Sequence, residues 1–388
     1  MKKQFLWLSL TIHTVLGVTS LWAQNQVRCP IVFALYDVAD MNALKVVADT
    51  LETRGKKVCF FALGQANVQL KDDPRVVFHD VGAGGADAWP RDKLLSQDTL
   101  KHLQDALQPK VIVTGMASAA QNQLLAFAPD NAFAFYDNFD PIKGKEYVQA
   151  FLSQSQSSGV KPTAYWVASE KTAKSFHEEA RTCDVPVKVV GQPVLEEWAT
   201  LFKETDRAAF KQALGIEEDR RVILFAGGYD ESYEAYFRLF LETVVPLIEE
   251  LKLEVLITYH PKPKGALEKK LVGALHNPHV RVIDSPPAGI ATNKLATLAS
   301  VFMCHKSSLG PQAISQGLPM IYVADPETYK NFVIEEKLAY ISNDKKMLSR
   351  LIKELLQQDN PVSLKPLGMP EKPASQLMTQ KIISALKS

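Results

Sequence analysis

Arg221-Val222-Ile223-Leu224-Phe225-Ala226-Gly227-Gly228-Tyr229-Asp230 is the stretch whose reading decides the fold. An apolar run enters a pair of glycines, and a long helical pattern follows at 231–251. A strand without polar alternation is covered on both faces, as strands of a parallel sheet are. Glycines let the backbone approach an anion closely, and the dipole of a following helix favours negative charge. A strand-to-helix turn wants glycine on its own account, so the pair by itself does not name a ligand. The G-x-G-x-x-G pattern of dinucleotide sites is absent from this turn.

The same alternation continues forward. Residues 254–258 (EVLIT), 280–283, 301–304 and 320–323 read as strands. Helical patterns occupy 265–275, 293–299, 310–316, 326–336 and 345–358, and Pro246 predicts a break inside 231–251. It also runs backward. Residues 31–36 (IVFALY), 57–63, 75–78, 110–114, 132–136 and 164–168 read as buried strands. Helices are expected at 40–54, 98–107, 118–127, 146–157 and 169–182. Strands that alternate with helices give an α/β protein with parallel sheets. The chain is therefore expected to hold two doubly wound, Rossmann-like domains facing a cleft, 28–192 and 193–365. A tail and helix at 366–388 follow a Pro-rich stretch (Pro361, Pro366, Pro370, Pro373). Ligands of such sheets bind beyond the carboxyl ends of the strands, so the residues there carry the functional signal.

The whole chain has 388 residues, enough for two or three domains at roughly 150 each. Its 46% apolar and 22% charged residues exclude a disordered chain and a multi-span membrane protein. The formal net charge of +1 gives no support to wholesale nucleic-acid binding, though it leaves room for a local basic cleft.

Residues 1–23 read as a secretory signal peptide: Lys2 and Lys3, a largely apolar 5–22, then Ala23 before polar residues. Leu21 stands where a small residue is usual, and His13 interrupts the apolar run. An uncleaved membrane anchor, or a helix packed on the body, are the other readings. Both export readings place the body outside the cytoplasm, and the anchor would hold it near a membrane. Four cysteines, Cys29, Cys59, Cys183 and Cys304, allow three pairings and show no CxxC spacing. Cys59 and Cys304 lie in apolar runs and read as buried thiols; Cys29–Cys59 is the one pairing worth testing, because their strands should be neighbours.

Two further strand ends carry polar groups. His260-Pro261-Lys262-Pro263-Lys264 combines an imidazole, a stiffened turn and two cations. It reads either as an anion contact or as a solvated loop. Cys304-His305-Lys306-Ser307-Ser308 ends a strand and opens a helix that stops at Gly317 before Pro319. One serine serves as helix cap. Capping does not account for His305-Lys306 beside two serines.

At this point the carboxy half resembles GT-B glycosyltransferases, in the flavour with an HP motif and a later double-Ser motif. Capsule polymer and CDP-glycerol transferases of the bacterial cell envelope have that flavour. The resemblance rests on ordered segments: Val167-Ala168-Ser169-Glu170, the VxGxP-like turn Val189–Val194, Val222–Gly228, His260-Pro261, and 300–319 with Ser307-Ser308 and a GxP ending. It covers roughly 165–325. It implies that the first domain faces the acceptor and the second holds a nucleotide-activated sugar or polyol donor. Gly227 and Gly228 would lie near the donor phosphates, and His260, Lys262, His305, Lys306, Ser307 and Ser308 would contact the nucleotide. No metal or cofactor is implied, since helix ends and basic side chains take the leaving-group charge. Many relatives carry Glu where this chain has Gln312, which would hold the donor ribose less firmly.

The acceptor, a glycan or polyol, would need a base in the first domain. Asp37 and Asp40 follow the first strand; Asp40 reads as a helix cap, and Asp37 stays open. His79, Asp80 and the glycine loop 81–87 are equally undecided. Three functions follow. The first is transfer of a glycosyl or glycerophospho group, with Asp37 as base and His260 at the donor. The second is sugar-nucleotide 2-epimerisation, whose family pattern has acidic residues after the serines that are not evident here. The third is a non-catalytic, exported nucleotide- or glycan-binding protein.

Overall fold

A computed structural model describes residues 28–79, 89–182, 184–260, 263–285, 289–358 and 361–387. The signal-like segment 1–23, Asp80 and the 81–87 loop, Cys183, Pro261 and Lys262 lie outside the described residues.

The first sheet contains β1 (Ile31–Leu35), β2 (Val58–Ala62), β3 (Val76–His79), β4 (Val111–Thr114), β5 (Ala132–Tyr136), β6 (Ala164–Val167) and β7 (Val187–Val189). The second contains β8 (Arg221–Ala226), β9 (Leu253–Thr258), β10 (Val280–Val282), β11 (Ala299–Cys304), β12 (Met320–Val323) and β13 (Tyr340–Ser342). Every pair is parallel. The orders are β3-β2-β1-β4-β5-β6-β7 and β10-β9-β8-β11-β12-β13, two doubly wound sheets. Each reverses its winding beside its first strand, between β1 and β4 and between β8 and β11.

The central strands are buried, apart from half-buried Arg221 and Ser300, because helices cover both faces, which is why they read as apolar runs. The runs β7 and β13 were not anticipated. Each has three residues and is an edge strand with one hydrogen-bonded neighbour, so neither needs a continuous apolar signature. Pro246 does interrupt its helix: Tyr233–Val244 is α, Val245–Leu247 is 3-10, and Ile248–Leu251 resumes. The helix expected over 326–336 shrinks to Phe332–Glu335. Asp325 folds a turn onto Glu327 and Thr328, and Asn331 caps a new start by accepting from Ile334 N at 2.9 Å. Two local side-chain acceptors outcompete one continuous helix.

Cys59 is no free thiol. It is bonded to Cys29, whose Cα lies 6.2 Å away, while Cys304 is a buried free thiol as expected.

The chain crosses between the sheets twice. Gly191, at φ +86°, lets the first crossing pass against Ala374 of the second; a Cβ there would stand 2.9 Å from the Ala374 Cβ. Beyond it, helix Val194–Glu204 sends Trp198 into the second core, edge-on to Phe302. The final helix, Ala374–Ala385, returns to the first core through Met378 and Ile382. Glu196 joins the crossings by accepting from Ser375 N at 2.8 Å and Ser375 Oγ at 2.6 Å.

Candidate functional site

A cavity of about 520 Å³ lies where the carboxyl ends of the two sheets face each other. Tyr36 and Asp37 after β1 and Arg91 form its first-domain wall. Gly227 and Tyr229 after β8, His260 after β9, and Ser307, Ser308 and Gln312 after β11 form the other. Asp37, Gly227, His260, Ser307, Ser308 and Gln312 were singled out from the sequence, and the fold brings them to one cavity. Gly228, His305 and Lys306 stand behind its wall, and Lys262 lies outside the described residues.

The second-domain wall is built by close packing. Gly227 N–H donates to Thr258 O at 2.9 Å. A Cβ at Gly227 would lie 2.7 Å from both Glu268 Oε1 and the Tyr233 hydroxyl, and one at Gly228 would lie 3.0 Å from the His305 and Tyr233 rings. The glycines therefore make room for side chains of this domain. Tyr233 donates to Glu268 Oε1 at 2.7 Å, and this carboxylate is fully buried, with Oε2 unpartnered. Ser307 Oγ accepts from Leu309 N at 3.2 Å and starts helix Leu309–Ser315, while exposed Ser308 opens on the cavity. The His260 ring lies tilted by 38° against Tyr229, with centroids 4.2 Å apart. His305 and Lys306 are turned to Asp230, at 3.2 Å and 3.1 Å.

The first-domain wall is acidic. Asp37 caps helix Val38–Glu52, accepting from Ala39 N at 3.1 Å and Asp40 N at 3.0 Å. The cap expected of Asp40 thus belongs to Asp37. Asp40 completes the reciprocal box by accepting from Asp37 N, and also from Tyr36 N. Asp40 is buried against Gln121, whose amide donates to it at 2.7 Å. Gly115 leaves the space, since a Cβ there would overlap the Asp40 carboxylate. Burial, and then the charge of Asp37, push the Asp40 carboxyl well above the usual range, against the Gln121 hydrogen bond.

A third carboxyl joins them. Asp137, after β5, is pushed up to about 8 by burial first and the charge of Asp37 second. Its backbone carbonyl accepts from Gln192 of the crossing turn, and its Oδ1 accepts from Asn138 Nδ2 at 3.0 Å. Arg91 stacks over the rings of Tyr36 and Tyr147, at 5.7 Å and 4.8 Å from their centroids. Burial first, and then a neighbouring carboxylate, favour the protonated form of Asp40 and Asp137. Such a group can give or take a proton from a molecule in the cleft. Sequence reasoning passed over Asp137, although Asp137-Asn138-Phe139-Asp140 directly follows a buried strand. Position at the carboxyl end of a strand was the available signal.

Solved structures of known proteins share this architecture. A UDP-GlcNAc 2-epimerase from Neisseria meningitidis bound to UDP-GlcNAc superposes with a TM-score of 0.66 at 12% identity, over 91% of this chain and 99% of that one. The fold is GT-B. The epimerase of Methanocaldococcus jannaschii, in complex with UDP-GlcNAc and UDP, gives 0.63 at 12% identity over 91% and 99%. WaaG, a glycosyltransferase involved in lipopolysaccharide biosynthesis, gives 0.53 at 14% identity over 92% and 94%. No protein-family model matches the chain, and no curated protein matches it. The kinship with GT-B proteins expected from the sequence therefore stands at the level of fold. Identities this low carry no residue roles, and those rest on the GT-B cleft described above.

Proposed function

We propose that this chain holds a nucleotide-activated sugar across the cleft and carries out proton transfer on it, with 2-epimerisation of the sugar as the first reading. What supports this is Asp137, its carboxyl pushed up to about 8 by burial and the charge of Asp37, together with Asp37 on the cavity wall. An acid and a base within one cluster are what removal and return of a proton at a sugar carbon require. The bound ligands of the epimerases that share the fold are in accord with it. In this reading Asp37 is the base and Asp137 the acid. His260, Ser307, Ser308 and Gln312 hold the nucleotide side from the second domain.

The second reading is transfer of a glycosyl or glycerophospho group to a glycan or polyol. The order of the HP and double-Ser segments favours it. There Asp37 would take the acceptor proton, and no product would form without an acceptor. We further propose that the body is exported: the leader-like segment 1–23 has the pattern of a signal, and Cys29–Cys59 is a pairing of the kind that persists in oxidising compartments.

Incubation with UDP-GlcNAc in D2O, followed by proton NMR, separates the readings. Epimerisation predicts a second hexosamine with deuterium at C2 and no acceptor requirement. A nucleotide sugar that binds, stays unchanged alone and is consumed only with a polyol or glycan would favour transfer. Binding without turnover under either condition would leave the non-catalytic reading. Failure of every nucleotide sugar to bind would end the proposal.

A further inference from the structure

The second sheet reverses its winding between β8 and β11, the crevice where open α/β sheets take ligands. The chain puts a carboxylate of its own there. His305 Nε2 lies 3.2 Å from both Asp230 oxygens, and Lys306 Nζ lies 3.1 Å from Oδ2. Ser232 Oγ donates to Oδ1 at 2.7 Å.

His305 is held through both ring nitrogens. Its Nδ1 is 2.8 Å from Val323 O, and a carbonyl only accepts, so Nδ1 carries hydrogen. Its Nε2 lies 3.2 Å from Asp230 and 3.3 Å from Ser232 Oγ. His305 is 1% exposed, packed against the rings of Tyr233 and Tyr236. Burial would raise the Asp230 carboxyl, yet hydrogen bonds from Ser232 and Lys306 and the charges of His305 and Lys306 hold it down at about 2. An imidazole, an ammonium and a hydroxyl thus converge on one carboxylate.

That anion is replaceable. The Asp230 side chain keeps 40% of its surface exposed, so water can solvate it when it turns away from these partners. Its neighbour Tyr229 lines the cavity, as does Ser307, the neighbour of Lys306. The cluster is one residue behind the wall on both strand ends. We propose that Asp230 is an internal occupant of a phosphate-class anion site formed by His305, Lys306 and Ser232, and that a ligand's phosphates enter this site by displacing it. This deepens the reading of the cleft as a nucleotide site and rests on it for the identity of the ligand.

Asp230 has a second, structural role that the test separates. Its carbonyl accepts from Tyr233 N at 3.1 Å and its Oδ1 accepts from Ser232 N at 2.9 Å, at the start of helix Tyr233–Val244. Asparagine keeps an oxygen for that turn and loses only the charge.

The experiment is titration calorimetry of the whole protein with inorganic pyrophosphate, and separately with UDP. Asp230→Asn should bind pyrophosphate about tenfold tighter or more, the worth of one charge-assisted hydrogen bond no longer broken on entry. Glu231→Gln makes the same change of charge next door and should leave affinity within about twofold, as an exposed surface charge does. Adding Lys306→Met to Asp230→Asn should abolish the gain. Unchanged or weaker pyrophosphate binding by Asp230→Asn overturns the proposal, as does an equal gain in Glu231→Gln. A pyrophosphate gain with no binding of UDP in any variant would leave the internal anion standing and remove the nucleotide reading. UDP binding that Asp230→Asn does not tighten would do the reverse.

Discussion

The two sheet ends that meet at the cleft treat charge in opposite ways. At the end of the second sheet, His305 and Lys306 are matched by Asp230, and a buried His305 keeps partners on both ring nitrogens. At the end of the first, Asp37, Asp40 and Asp137 lie together, while Arg91 is spread over two aromatic rings and Lys145 is paired with Asp140. A matched cluster holds a loop in place. An under-matched cluster raises carboxyl pKa values and stores a titratable proton. The difference teaches where chemistry and where binding should be sought: the first domain is equipped to move protons, the second to hold an anion.

The largest effect that tests this contrast is on turnover. Asp137→Asn and Asp37→Asn should each lower kcat by about 10²–10⁴-fold with nucleotide affinity kept, as loss of a general acid or base does. Full activity in both would erase the distinction between the two ends. The two domains should also differ under reduction. Only the first carries a disulfide among the described residues, so a Cys29→Ser, Cys59→Ser variant should lose about 2–4 kcal/mol there. Denaturant unfolding followed by Trp166 of the first domain should shift, while Trp198 in the second core should report little change.

A smaller effect sharpens the account of the second wall. Gly227→Ala should cost about 1–3 kcal/mol in thermal or urea unfolding, because its methyl would meet Glu268 and Tyr233. Gly273→Ala, which meets nothing within 4 Å at its helix end, should be neutral or slightly stabilising. Equal losses would mean that the Gly227 loop is not held as described.

The last effect is in pH dependence. Asp137 has its folded pKa raised, so the folded state binds more protons than the unfolded one above the ordinary carboxyl range. Its contribution to stability is therefore present below about pH 4 and lost as pH rises through about 8. Asp137→Asn should gain on the native protein as pH rises from about 4 to about 8, with no difference near pH 4, measured by urea titration. A pH-independent difference would remove the stored proton from the account.

Much of the architecture was legible because buried parallel strands must be apolar on both faces, and IVFALY, KVIVT and RVILFA admit few other readings. Half of the site was legible for a related reason. Strand ends carry ligand groups in doubly wound sheets, so His260, Ser307 and Ser308 were found by position, and Gln312 through the family resemblance. Asp137 escaped because its property comes first from burial and then from Asp37, a hundred residues earlier in the chain and near it only after β1 and β5 join one sheet. The glycine pair was found for one reason and is needed for another, since Tyr233 and Glu268 approach it from a helix start and a helix beyond β9.

The sequence by itself determined the layers: which segments are strands, where proline breaks a helix, and that two sheets would expose polar groups at their carboxyl ends. Periodicity and local chemistry act over a few residues, and a linear reading captures them. Only the tertiary structure decided which charges meet. Whether Cys59 is a thiol or half of a disulfide, whether His305 faces a ligand or Asp230, and whether an aspartate keeps its proton all depend on distances between residues far apart in the chain. Electrostatic energies vary with those distances and with burial, and neither quantity is written in the order of the residues.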